Sequence, residues 1–82
     1  MELKNWFIVT LGNTSIAVGE VFNSPKFTDG DVIRTSLIKS IKGVKITTEY
    51  SVYELVGKEY TDIRGKALTL IYLGISVPEY FL

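Results

Sequence analysis

The chain reads as a mainly β protein: a small barrel or a strongly bent antiparallel sheet of five to six short strands. Three observations lead there. Two alternating apolar runs flank a Gly12-Asn13 pair, short β-branched runs recur at a spacing of about ten residues between turn signals, and "VKITTEY" alternates cleanly between apolar and polar positions. One short C-terminal helix is the alternative to a last strand.

The first element is a hairpin. "NWFIVTL" and "TSIAVGEVF" fold about Gly12-Asn13, a loop composition that tight two-residue turns require. This pairs Leu11 with Thr14, Val9 with Ile16 and Phe7 with Val18 on one face, and Thr10 with Ser15 and Ile8 with Ala17 on the other. Gly19 interrupts the second strand, where a bulge or sharp bend would let the sheet curl. Residues 23–31, "NSPKFTDGD", form a loop with a turn at Asp29-Gly30.

"FTDGDVIRTSLIKSI", residues 27–41, has two readings. Ile33, Leu37 and Ile41, with Ile38 between them, would make the stripe of a helix. "VIRTS" is instead β-branched at three of five positions and follows a turn, which favours a strand, then a break and a second apolar run. Past Gly43, the strand "VKITTEY" sets Val44, Ile46 and Thr48 on one face and Lys45, Thr47 and Glu49 on the other. A turn at Tyr50-Ser51 leads to "VYELV", with Tyr53 and Leu55 facing the core.

Residues 57–66 read as a polar loop. "KALTLIYLG", 66–74, is either a strand or a buried helix closed by Gly74. Periodicity does not separate the two when nearly every position is apolar, and its Ile, Tyr and Thr tip the balance to a strand. The aromatic, apolar end "YFL" is expected to dock on the core or on a neighbouring chain.

Eighty-two residues make a single domain, 1–82, which buries roughly 60–65% of its unfolded surface. With 46% hydrophobic residues, the chain carries more apolar surface than so small a core absorbs, which predicts a homo-oligomer. Nine basic and nine acidic residues cancel, so no global field draws in nucleic acid or an anionic membrane. There is no cysteine and no histidine, which removes disulfides, thiol catalysis and zinc sites of the usual ligands. The start "MELKNW" lacks a signal pattern and the apolar run at 67–77 is too short to span a bilayer, so a soluble, cytoplasmic protein is expected.

Candidate chemistry concentrates in Arg34, Thr35 and Ser36. A guanidinium with two neighbouring hydroxyls suits a phosphate, although a strand with a solvated arginine and ordinary backbone-bonded hydroxyls accounts for the same residues. Between Val32 and Thr48 lie Arg34, Lys39, Lys42 and Lys45 and no acid; with Tyr50 and Tyr53 just beyond, this suits a small anionic ligand or, less well, single-stranded nucleic acid. The candidate ligand-binding set is therefore Arg34, Thr35, Ser36, Lys45, Thr48 and Tyr50. Asp29 and Asp31 lack the remaining ligands of a calcium loop, and no catalytic motif is present, so no metal, cofactor or enzyme activity is expected.

The spacing G-x-V-x-x-x-x-x-F-x-D-G-x-x-I-x-T-S-x-I from Gly19 to Ile38, followed by "ITTEYSVYEL", resembles a signature in short bacterial and phage proteins of no assigned enzyme activity. The resemblance implies a small β-rich protein of mobile-element origin. It points to a phage-type accessory or anti-defence protein that acts stoichiometrically, by sequestering a small nucleotide-like ligand or by blocking a host protein. A single-stranded nucleic-acid-binding barrel is the alternative.

Overall fold

The computed structural model describes residues 1–78, and the docking expected of the "YFL" end lies outside the described residues. Six strands form one sheet: β1 (Glu2–Leu11), β2 (Thr14–Phe22), β3 (Val32–Arg34), β4 (Ile38–Lys42), β5 (Lys45–Thr48) and β6 (Val52–Leu55), followed by the helix α1 (Ile63–Tyr72). The strand order is β3-β2-β1-β6-β5-β4. All neighbours are antiparallel except β1 and β6, which run parallel through Glu2↔Glu54 and Leu3↔Leu55. The sheet is bent as expected but is not closed into a barrel, since β3 and β4 each have a neighbour on one side only.

The first hairpin has the register its sequence predicts, from Leu11↔Thr14 to Phe7↔Val18. Gly12 takes φ 65° and Asn13 does not enter the left-handed region, the pattern of a tight turn whose twist suits the strands. Gly43, at φ 60°, plays the same part between β4 and β5. Val44 becomes the second turn residue and is exposed, while Ile46 and Thr48, expected on the same face, are buried.

The extra residue of the bulge lies on β1, across from Gly19. Lys4 pairs with Glu20 and Phe7 with Val18, so Asn5 and Trp6 together oppose Gly19, with Asn5 at φ 49°. This reverses which side chains of β1 face inward. Before the bulge Met1 and Leu3 face the concave side; after it Trp6 and Ile8 do, while Phe7 and Val9 turn outward.

Both faces of the central hairpin are consequently buried. On the concave side Leu3, Ala17, Val21, Ile33, Ile46, Tyr53 and Leu55 form one cluster. Those residues come from five of the six strands, and β2 touches β4 across the bend. On the other side Phe7, Val9, Ile16 and Val18 meet Leu70 of α1.

The strand expected over 66–74 is a helix, and the loop expected over 57–66 ends at Asp62. Asp62 caps α1 by accepting the Arg64 N–H at 3.2 Å. At the other end Gly74 (φ 75°) donates to the Ile71 carbonyl, and Ile75 donates to the Leu70 carbonyl, which satisfies the last turn. The sheet already has β1 at its centre with strands on both sides, so the apolar segment meets an open hydrophobic face and no open strand edge there. Among the described residues no helix is long and apolar enough to cross a membrane.

Residues 27–41 resolve as the strand reading expects, into a turn at 29–30, β3, a break over 35–37 and β4. Asp29 and Asp31 accept the backbone N–H groups of Asn23 and Thr28, so both carboxylates stabilise the loop.

Candidate binding groove at the open seam of the sheet

The incomplete closure leaves a seam. β3 pairs only with Val18–Glu20, so the first half of β2 has no strand on its outer side, and it faces the free edge of β4. Between them lies a groove of about 470 Å³, lined by Ile8, Asn13, Thr14 and Ser15 on one wall and by residues 37–41 on the other. Ile8 and Ile38 pack against the concave core and give it an apolar floor.

Thr35 closes one end. Its N–H donates to the Ala17 carbonyl at 2.8 Å, its hydroxyl accepts the Ala17 N–H at 3.0 Å, and the same hydroxyl donates to the Ser36 carbonyl at 2.8 Å. The side chain thus extends the β2–β3 ladder by one rung, and it is only 2% exposed. Thr35→Val keeps the shape but leaves a buried N–H without an acceptor, so it is expected to cost about 1–3 kcal/mol in urea unfolding. Thr35→Ser should recover most of that loss; equal stability of the valine variant and the parent would show that the rung contributes nothing.

The sequence-predicted ligand residues divide into two groups. Thr48 is buried, and its hydroxyl donates to the Ser51 carbonyl and accepts the Ser51 N–H. Thr48 therefore serves the backbone of its own turn, whereas Thr35 serves that of β2 and of its neighbour Ser36. Arg34 is exposed, with Nε donating to the Thr35 carbonyl at 3.3 Å, and Ser36 is half-buried. The Glu49 N–H donates to the Leu37 carbonyl at 3.1 Å, which sets Tyr50, 81% exposed, at the same end of the sheet as Ser36. Lys45 lies at the opposite end of β5, roughly 10 Å along the strand from Thr48, where it faces Lys42 on one side and Glu54 on the other. The six residues thus form no single pocket.

Sequence reading missed Ile8, residues 13–15 and Ile41 as groove-lining positions. Their signal is the apolar character of both faces of β1 and β2, with Ile8 and Ala17 behind Phe7 and Val9. The excess apolar surface predicted from composition is visible as Ile41 and Val44 on the second hairpin and as Leu68, Ile71 and Tyr72 on the outer face of α1.

A second cleft of about 240 Å³ lies between the bulge and α1, lined by Asn5, Phe7, Gly19, Glu20, Val32, Tyr60 and Thr69. Its polar side chains already have partners: Asn5 Nδ2 donates to Glu20 Oε2 at 2.8 Å, the Tyr60 hydroxyl donates to the Asp62 carboxylate at 3.4 Å, and the Thr69 hydroxyl donates to the Gly65 carbonyl. Comparison with known proteins adds nothing to this geometry, as the chain matches no family model, no curated protein and no solved structure.

Proposed function

We propose that this chain is a non-enzymatic protein that works by stoichiometric binding to another protein, with the open seam as its working surface. The observation that carries the reading is the groove itself: a free strand edge beside an apolar floor, with Ile41 left 52% exposed at its rim. The engagement of Thr35 and Thr48 by the backbone favours a protein partner over a small nucleotide, because it removes two of the donors that a phosphate would use. The resemblance of Gly19–Ile38 to a signature in short bacterial and phage proteins supports an accessory or anti-defence setting.

The test is affinity capture from a bacterial extract with three forms of the protein. The parent and Leu68→Ser, altered on the outer face of α1, should retain the same partner, and Ile41→Lys should lose it. Retention by Ile41→Lys at parental yield would remove the seam from the reading.

A single-stranded nucleic-acid surface is the second reading, favoured by the exposure of Tyr50 at the end of the sheet that holds Ser36. It requires oligonucleotide affinity to fall steeply as salt rises. Affinity that does not change with salt excludes it.

A further inference from the structure

We propose that β4 accepts an extended acidic segment of a partner protein as an added strand, with acidic residues alternating with apolar ones. This deepens the seam reading above and rests on it. The backbone supplies the first part of the case. β4 pairs with β5 alone, and among the described residues no backbone hydrogen bond outside that ladder involves residues 38–42; β2 approaches β4 over part of this edge, so the added strand occupies the part that β2 leaves open. Lys42 and Lys45 flank the two-residue turn and so bond each other, which leaves the N–H and C=O of Ile41 pointing away from β5 into the seam. By the same alternation, with Leu11 and Thr14 flanking the first turn, the backbone of Ser15 points into the seam from the other wall.

The side chains of β4 define the pattern of the guest. Ile38 and Ile41 stand on the concave side, Ile38 against the core and Ile41 opposite Ile46. Ser40 and Lys42 stand on the outer side, opposite Thr47 and Lys45, and Lys39 is the extra residue of a small irregularity between them. A strand laid along this edge alternates in the same way. Its inward residues meet Ile8, Ile38 and Ile41 and are therefore apolar. Its outward residues pass Lys42, with Lys39 on the same strand and Lys45 one strand behind it, and are therefore acidic.

Charge also decides against a second copy of this chain. Two β4 edges paired together would bring Lys39 and Lys42 of each against those of the other, the arrangement by which natural sheets prevent self-pairing. An acidic guest turns the same lysines from a barrier into a selector. Glu54, across from Lys45, offsets part of its charge, Glu49 lies one residue past β5, and the Glu59 carboxylate accepts the Ile8 N–H at 3.5 Å, while Lys39 and Lys42 are carried by β4 itself.

The experiment uses fluorescently labelled peptides of about seven residues, a usual strand length. One alternates glutamate with valine, a second alternates lysine with valine, and a third repeats the first with alternate backbone amides N-methylated. The glutamate peptide should bind saturably, at least about ten-fold more tightly than either of the others, and should shift the Ile41 amide in the protein's NMR spectrum. A Lys39→Glu/Lys42→Glu variant should reverse the preference in favour of the lysine peptide. Binding that survives N-methylation, or that an oligothymidylate of equal charge displaces, would show polyanion attraction without strand addition and overturn the proposal. If no peptide binds while Ile41→Lys still abolishes protein capture, strand addition is wrong and the seam remains the working surface. If Ile41→Lys is also without effect, both readings fall.

Discussion

Leu70→Ala is expected to lower the unfolding free energy by about 3 kcal/mol, the largest loss for a single truncation in α1. Leu70 is the one helix residue that is completely buried, and it packs into Phe7, Val9, Ile16 and Val18 on the outer face of the central hairpin. A helix of ten residues does not hold together alone in water, so α1 exists because that side chain anchors it. A domain of this length has a total stability of roughly 4–12 kcal/mol, so the loss is a large fraction of the whole. Urea unfolding followed by far-ultraviolet circular dichroism measures it. Leu68→Ala, at a position 62% exposed, should change stability by less than about 0.5 kcal/mol. Equal effects at the two positions would mean that α1 does not dock through Leu70.

Gly19→Val should cost about 2–3 kcal/mol, through crowding where no side chain fits. A Cβ at this position would stand 3.0 Å from the Lys4 carbonyl oxygen, 3.1 Å from the Trp6 Cα and 3.2 Å from its Cβ. The first two are backbone atoms of the bulge and cannot move aside as the tip of a long side chain would. The strand therefore has to separate at the point where Asn5 and Trp6 share one partner. Trp6 is the only tryptophan, and its indole N–H donates to the Gly57 carbonyl at 3.2 Å, so its fluorescence reports the site directly. The variant should unfold at lower urea and show a shifted emission in the folded state. Parental emission and stability together would show that the bulge has room to spare.

Legibility in the sequence followed the range of the interactions involved. The first hairpin was readable to the residue because its register depends on a two-residue turn and on alternation within about ten positions on either side. The break between β3 and β4 was readable for a similar reason, in the run "VIRTSLIK". The backbone engagement of Thr35 and Thr48 was not legible, because a hydroxyl beside a basic residue has the same sequence appearance whether it faces solvent or a neighbouring backbone. Its partners, Ala17 for one and Ser51 for the other, appear only when the chain is folded.

Turn chemistry, strand alternation, the local basic run from Arg34 to Lys45 and the absence of cysteine and histidine were decided by residue identity, since each acts within a few positions or needs no neighbour at all. Three features were decided by packing at long range. Residues 63–72 became a helix because the sheet offered them a hydrophobic face, with local caps at Asp62 and Gly74 to complete the ends. The bulge at Asn5 and Trp6 reversed the inward face of β1 because Gly19, far along the chain, allowed close approach. The seam opened because three-residue β3 covers only part of β2, leaving the remaining edge opposite β4, a juxtaposition that exists only once all six strands have found their order.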